Sequence, residues 1–199
     1  MSHSRPGGSL QGINWSIERG LVKPSLAETA GLEILGAIAT DHPMVSFDHS
    51  QPEHGYTGYL IDGLDDIKKK DISAPDFCFS SLMVVRGAFT PFKDPDLLGD
   101  KETSHYHQGM VNVLEPSGRV PGHRDSQTWS LVFVALTAKA KAKIKGPGEG
   151  DYTEEILRPG DAVVITNPKQ KSQRPKHEII NLSRLPRVSY GEYTTQQRK

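Results

Sequence analysis

The chain of 199 residues has little of three features that would assign it to a special class of protein. It contains a single cysteine, Cys78, which excludes an internal disulfide framework and is typical of a reducing compartment. Its 24 basic and 24 acidic residues cancel, so no net charge attracts nucleic acid or an anionic membrane to the molecule as a whole. It has neither an apolar run of about 18 residues nor an apolar signal core near its first residue. These absences predict a soluble, intracellular protein of the cytoplasm with no membrane partner.

The length and composition predict one folded domain. Residues 1–12 are rich in glycine, serine and arginine, and they are predicted to form a flexible leader. Residues 13–199 contain no internal repeat and are predicted to form that single domain.

One helix is predicted near the start of the domain, followed by loops and then by strands. Ser25 and Glu28 form a capping-box pattern that predicts a helix from Ser25 to about Thr40. Residues 41–76 are rich in glycine and charge and are predicted to be mostly loop. The runs predicted as strands are Phe77–Val85, Gly109–Leu114, Thr128–Leu136, Glu154–Leu157, Asp161–Thr166, Glu178–Asn181 and Arg187–Tyr193.

A further strand is predicted where lysine alternates with apolar residues, over Lys139–Lys145. In a strand its four lysines share one face, whereas a helix would scatter them, so we expect an exposed or edge strand. Many short strands with one helix in front predict a mainly β fold with helical support, a jelly-roll barrel.

The residues that could bind a metal or a carboxylate lie in the second half of the chain. His123 and Asp125 are two residues apart in an extended stretch, so they can present an imidazole and a carboxylate on one face. Two histidines and one carboxylate on one face of a metal suit non-haem Fe(II), and His177 is the candidate third ligand. Arg187 and Ser189 share a strand face, where a guanidinium and a hydroxyl together can bind a carboxylate.

This ordered set of residues resembles the Fe(II)/2-oxoglutarate-dependent dioxygenase superfamily. The likeness extends over roughly residues 110–193 and includes the turn and strand Arg158–Ile165 and the approach Asn181–Arg187. It implies a double-stranded β-helix of the cupin-like type that binds iron through His123, Asp125 and His177. It also implies that 2-oxoglutarate chelates the iron and places its distal carboxylate on Arg187 and Ser189.

The reaction implied by the resemblance consumes O2 and 2-oxoglutarate and yields succinate and an oxidised substrate. Related halogenases have a small residue where this chain has Asp125, so the carboxylate implies hydroxylation. Asn112, eleven residues before His123, resembles the asparagine with which AlkB-type nucleic-acid dealkylases contact 2-oxoglutarate. Leu114, however, stands where those enzymes have tyrosine, and the Arg-x-Ser spacing is closer to oxygenases of small molecules.

The function stays open between a favoured hypothesis and three alternatives. A small organic substrate is favoured because the chain is neutral and has no evident basic recognition arm. A nucleic-acid base oxygenase, including a Tet/JBP-like oxidase of 5-methylpyrimidines, is the first alternative, and lysines 139–145 could then contact phosphate. A non-catalytic jelly-roll module for metal binding or sensing is the second, and a redox-independent metallohydrolase on the same barrel is the third. His105, His107 and Arg119 are further candidates for contacts at the barrel mouth, as are Tyr56 and Arg86.

Overall fold

A computed structural model describes residues 15–61, 79–90, 105–125, 129–148, 150–166 and 171–196. Side chains are described for these residues except at positions 105–108, 129, 130, 166 and 193–196. The predicted leader, Cys78 and the segments 62–78 and 91–104 lie outside the described residues. Within the described chain, no helix has the length and hydropathy that a membrane crossing requires.

The described residues form two helices and eleven strands. Helix α1 spans Pro24–Ala39 and helix α2 spans Ser80–Gly87. The strands are β1 (Trp15–Glu18), β2 (Val45–Gln51), β3 (Tyr56–Ile61), β4 (His105–Leu114), β5 (Arg119–His123), β6 (Trp129–Ala135), β7 (Ala140–Lys145), β8 (Thr153–Leu157), β9 (Ala162–Thr166), β10 (Lys176–Asn181) and β11 (Arg187–Gln196).

The strands are arranged in two antiparallel sheets. The larger sheet has seven strands in the order β1-β9-β6-β11-β4-β3-β2, and the smaller sheet has four in the order β5-β10-β7-β8. Neighbours that are distant in sequence, such as β4 and β11, pair over their whole length. The architecture is therefore the double-stranded β-helix, or jelly roll, with helical support that the sequence predicted, and this prediction is confirmed.

Two apolar layers hold the fold together, one on each face of the larger sheet. The outer layer packs the two helices against that sheet, and it buries α1 residues at helical spacing, including Ala30 and Ile34. The inner layer lies between the two sheets and includes Phe133 from β6 and Ile179 from β10. The functional residues described below lie at this inner layer.

The predicted strand Phe77–Val85 is wrong for the residues that the structure describes, because Ser80–Gly87 is helix α2. Leu82 and Val85 lie three residues apart on one helix face and are fully buried in the outer layer. The carboxylate of Glu33 on α1 accepts hydrogen bonds from the backbone amides of Ser81 and Leu82, both at 3.1 Å. This contact from another helix satisfies the first turn of α2, which has no side-chain cap of its own.

The capping box at Ser25 is also wrong. Helix α1 begins one residue earlier, with Pro24 in its first turn and Lys23 at its N-cap. Proline is favoured there because its missing amide hydrogen would have no partner at that position.

Two further predictions about strands need correction. Residues 41–76 are not mostly loop as far as they are described, because they include strands β2 and β3. The alternation over Lys139–Lys145 does form strand β7, with buried alanines and isoleucine facing inward. However, β7 lies between β10 and β8 and is not an edge strand. Its lysines are partly exposed, because only the inner face of the smaller sheet is covered by residues that the structure describes.

Candidate functional site

Three potential metal ligands meet at one end of the smaller sheet. His123 is the last residue of β5, and it pairs directly with His177 on the neighbouring strand β10. The centroids of the two imidazole rings lie 4.4 Å apart. Oδ1 of Asp125 lies 3.3 Å from Nε2 of His123 and 4.0 Å from Nε2 of His177. Because the three ligand atoms all lie within 4.8 Å of one another, they are close enough to share one ion.

The segment after β5 positions Asp125 through two hydrogen bonds to Arg174. Nη1 of Arg174 donates to the backbone oxygen of Asp125 at 2.8 Å, and Nε of Arg124 donates to the backbone oxygen of Arg174 at 3.0 Å. Strand β5 ends before Asp125, so these bonds, rather than strand pairing, hold the backbone at Asp125 against the segment that leads into β10. The carboxylate is buried, with 6% of the residue exposed.

The protonation of the two imidazoles suits metal binding. Nδ1 of His123 lies 2.8 Å from the carbonyl oxygen of Pro121, which can only accept, so Nδ1 carries the proton and Nε2 is left for a ligand bond. The hydrogen bond that the imidazole of His123 donates to Asp125 raises the pKa of His123, and the Pro121 carbonyl adds to this against the opposing effect of burial. Burial lowers the pKa of His177 to about 4, so this imidazole is neutral at pH 7, as a metal ligand must be.

The burial of His177 extends to its second ring nitrogen. Its Nδ1 atom is buried without a hydrogen-bond partner of standard geometry in the described part of the chain. The backbone of Pro175 is nevertheless close enough to act on the pKa of the imidazole. The ligand types, their spacing and the neutral imidazole of His177 together suit a divalent ion that accepts nitrogen and oxygen.

Arg187 places a buried positive charge in the same region. It begins strand β11 opposite Leu114 and is only 1% exposed. Its Nε and Nη2 atoms are buried and have no hydrogen-bond partner among the described residues. Burial lowers the pKa of the guanidinium to about 10, which shows how unfavourable this environment is for an unpaired charge. A carboxylate ligand would satisfy both nitrogens through the paired geometry that arginine favours.

Ser189 and Asn112 lie beside Arg187 on the inner face of the larger sheet. They are direct partners in the β4–β11 ladder, and Ser189 is 2% exposed. The hydroxyl of Tyr56 on β3 donates to Oδ1 of Asn112 at 2.8 Å, which fixes the amide orientation. Burial, and then the nearby carboxylate of Asp48, raise the pKa of Tyr56 to about 12, so its hydroxyl is a donor at all ordinary pH values.

One cavity of about 460 Å³ brings together all six residues that the sequence singled out for the metal and the co-substrate. Polar and apolar side chains share its wall, and the apolar ones come from both sheets. The lining residues are Asp48, His49, Gln51, Tyr56, Leu60, Met110, Asn112, Val120, Pro121, His123, Asp125, Leu131, Phe133, His177, Ile179, Arg187 and Ser189.

Other sequence candidates lie away from this cavity or outside the described side chains. Arg119 is about half exposed, and its Nη1 lies 3.7 Å from a carboxylate oxygen of Glu178. Arg86 on α2 donates to buried Glu192 at 2.5 Å, beside Tyr190 of the outer apolar layer. It therefore does not line the cavity. The positions of His105 and His107 on β4 are described but their side chains are not, so their predicted roles stay predictions.

Sequence reasoning missed the residues that β2 contributes to the cavity wall. These are Asp48, His49 and Gln51, which fall in the segment predicted to be loop. The alternation Val45-x-Phe47 and the β-rich run Tyr56–Ile61 were the available signals for a hairpin here. The extra residue Asp48 interrupts the alternation within β2 and hides the pattern.

Comparison with solved structures identifies one protein of the same fold and two weaker likenesses. A prolyl-4-hydroxylase from Pseudomonas putida superposes with a TM-score of 0.61 at 13% sequence identity, covering 93% of this chain and 94% of that one. The cupin domain of CENP-C from Drosophila melanogaster gives a TM-score of 0.42 at 10% identity, covering 77% and 75%. KdgF from a Halomonas species gives 0.42 at 8% identity, covering 76% and 87%. At 13% identity, the likeness to the prolyl-4-hydroxylase shows a shared fold alone. Nothing is concluded from the other two structures, whose TM-scores are lower.

Comparison at the level of sequence gives no match. No protein-family model matches the chain, and no curated protein sequence matches it.

Proposed function

We propose that this chain is an Fe(II)- and 2-oxoglutarate-dependent oxygenase that hydroxylates a C–H bond of a small organic substrate. One observation carries the proposal: the ligand set and the buried, unpaired guanidinium of Arg187 line the same cavity. A metal site alone is common to many jelly rolls, and a buried arginine alone is usually an ion pair. Their combination suits a ligand that contacts a metal at one end and presents a carboxylate at the other.

Five of the six residues have direct binding roles in this proposal. His123, Asp125 and His177 would hold Fe(II) through the two Nε2 atoms and one carboxylate oxygen. Arg187 and Ser189 would bind the distal carboxylate of 2-oxoglutarate. When bound, Fe(II) supplies the redox chemistry that joins reduction of O2 to oxidation of the co-substrate and the substrate.

The overall reaction has a simple balance. One C–H group, O2 and 2-oxoglutarate become one C–OH group, succinate and CO2, so one oxygen atom of O2 enters the hydroxyl group and the other enters succinate. The protein groups contribute binding, orientation and exclusion of water. Neutral His177 remains available as a ligand, and the Tyr56–Asn112 hydrogen bond holds an amide against the cavity. Asp125 provides the carboxylate that favours hydroxylation over halogenation in the superfamily this chain resembles.

Two further findings support the proposal. The Pseudomonas putida protein with the same overall fold is a prolyl-4-hydroxylase, which is an activity of this reaction type. The apolar part of the cavity wall, which includes Leu60, Met110 and Phe133, suits the hydrocarbon part of a small substrate.

The test measures succinate formed from 2-oxoglutarate by purified protein with Fe(II) and O2, without added substrate and then with a substrate panel. We expect slow uncoupled turnover in the wild type and its loss in Asp125→Ala and His177→Ala. His54→Ala is the matched control, because this partly exposed histidine does not line the cavity. Succinate formation that persists in both ligand variants would refute the site. Stoichiometric metal binding without any turnover across a broad panel would favour a non-catalytic module instead.

A further inference from the structure

Asp48 and His49 form a polar pair on the cavity wall that the proposed iron and 2-oxoglutarate sites do not use. Nδ1 of His49 lies 2.7 Å from Oδ2 of Asp48. A carboxylate can only accept, so Nδ1 carries the proton of this hydrogen bond. The other ring nitrogen, Nε2, and the second carboxylate oxygen are then both free to accept from a ligand. The two side chains keep 41% and 39% of their surface exposed, so a ligand can reach them.

A β-bulge places both residues at the cavity. Phe47 pairs with Tyr59, but the next pair in the ladder is His49 with Gly58, so Asp48 is an extra residue in β2. In a regular strand, adjacent residues face opposite sides of the sheet. The bulge breaks this alternation and allows neighbouring side chains to line one cavity, as bulges often do beside active sites.

The neighbouring strand is shaped to accept the imidazole of His49. A Cβ atom on Gly58 would lie 2.7 Å from Cε1 of His49, which is closer than real contacts allow. Only glycine at position 58 therefore lets the ring lie against the β3 backbone. The ring also contacts Tyr56 edge to face, with centroids 5.0 Å apart. These contacts make the orientation of His49 a specific feature of the hairpin.

The charges in the cavity leave Asp48 without a counter-ion. Apart from histidines, the charged residues of the wall are Asp48, Asp125 and Arg187. In the proposed function Asp125 binds the metal and Arg187 binds a carboxylate. Among the described residues, no lysine or arginine pairs with Asp48, whose carboxylate accepts a hydrogen bond from the imidazole of His49. The carboxylate also acts on the buried Tyr56 hydroxyl and adds to its raised pKa, so its negative field extends along this wall.

We propose that the Asp48–His49 pair binds a protonated amine on the substrate, which makes the substrate class a small amine with an apolar body. An ammonium group has three N–H donors, and the pair offers two acceptors with a net negative charge. The apolar residues Leu60 and Met110 continue the wall from β2 across β3 and β4 and would contact the hydrocarbon part. The inference rests on the proposed oxygenase function, because it assigns the substrate end of the same cavity.

The test compares three probes with the same six-carbon chain: hexylamine, 1-hexanol and hexanoate. Their binding is measured by ligand-observed NMR on protein loaded with Zn(II) and 2-oxoglutarate, so that no turnover occurs. We expect hexylamine to bind at least ~10-fold more tightly than 1-hexanol, since a hydrogen bond to a charged group adds about this much. Hexanoate should bind least, because it meets the Asp48 carboxylate.

Substitutions at Asp48 and His49 test whether this pair causes the preference for hexylamine. Asp48→Asn should reduce the preference for hexylamine over 1-hexanol to about 2-fold or less, because the amide removes the charge and keeps the shape. Glu53→Gln is the matched control, since Glu53 is exposed and follows β2 but does not line the cavity; it should keep the full preference. His49→Gln gives a second variant in which one acceptor changes and the charge of Asp48 remains. It should lower amine affinity less than Asp48→Asn does.

Several results would overturn the inference. Equal binding of the three probes, a preference for hexanoate, or an unchanged amine preference in Asp48→Asn would each do so. The same NMR samples report 2-oxoglutarate binding independently of the probes. Failure of 2-oxoglutarate to bind would refute the proposed function, whereas its binding without amine preference would refute only the assignment of the Asp48–His49 pair.

Discussion

Replacement of Arg187 by methionine would remove the buried charge of the cavity and keep an unbranched side chain there. In the free protein, Nε and Nη2 of Arg187 are buried without partners among the described residues. The fall of its pKa from 12.5 to about 10 corresponds to a penalty of about 3 kcal/mol on the charged form. Part of that penalty is offset by packing of the aliphatic stem, which methionine largely reproduces. We therefore expect Arg187→Met to raise the free energy of unfolding of the free protein by about 1–3 kcal/mol.

The same substitution should abolish the response to 2-oxoglutarate. In the wild type loaded with Zn(II), 2-oxoglutarate at about 100 times its dissociation constant should add roughly 2.7 kcal/mol to the free energy of unfolding. In Arg187→Met this increment should disappear, since no paired donor remains for the distal carboxylate. The assay is urea unfolding with and without 2-oxoglutarate, at fixed metal concentration.

The control for Arg187→Met is an arginine that lies outside the cavity. Arg119→Met removes an arginine that is half exposed and outside the cavity, so both quantities should stay within about 0.5 kcal/mol of the wild type. A free Arg187→Met protein that is several kcal/mol less stable would show that the guanidinium is a structural ion pair. A retained response to 2-oxoglutarate would show that the carboxylate binds elsewhere.

Two other predictions concern the inner face of the larger sheet. Tyr56 has its pKa raised to about 12 by burial, so the folded protein keeps a proton that the unfolded chain releases near pH 10, and stability should fall as pH rises from 10 to 12. Urea unfolding across this window should show a flatter dependence for Tyr56→Phe than for the wild type, and an equal slope would contradict the assignment. Gly191→Ala would place Cβ 2.9 Å from Cβ of Phe133 and 3.1 Å from a backbone oxygen, so it should cost about 1–3 kcal/mol in urea unfolding. Gly58→Ala should cost less than Gly191→Ala, because the half-exposed ring of His49 can rotate away, and a reversed order would contradict these contacts.

The local chemistry of the site could be predicted from the sequence because it is encoded in short spacings. His123 and Asp125 are two residues apart, and so are Arg187 and Ser189, and a strand converts that spacing into a shared face. The structure places Arg187 and Ser189 on one face of β11, as expected. For Asp125 the reason differs, because the strand ends at His123 and Arg174 donates to the backbone oxygen of Asp125 from another segment. No local sequence pattern predicts the contact between Arg174 and Asp125, because the two residues are distant in the chain.

The elements that were predicted wrongly depend on contacts between distant segments. The β-branched and aromatic residues around Val85 favour a strand, but Glu33 of α1 supplies the hydrogen-bond acceptors for the first turn of α2. Burial of Leu82 and Val85 then favours the helix over the local preference. In β2 the extra residue Asp48 shifts the alternation, so the pattern of the strand changes face in its middle. The amine site proposed here was hidden for the same reason.

The two ends of the proposed co-substrate site belong to different sheets, so their separation depends on the layer between them. The metal ligand His177 is on β10 of the smaller sheet, and Arg187 is on β11 of the larger one. Ile179, two residues after His177, shares the inner apolar layer with Phe133 of β6, the strand that pairs with β11. A close-packed layer transmits changes in volume to the elements on both sides. The span that 2-oxoglutarate would bridge under the proposed function is therefore set by these apolar side chains, and their size would matter to co-substrate fit although none of them bears a polar group.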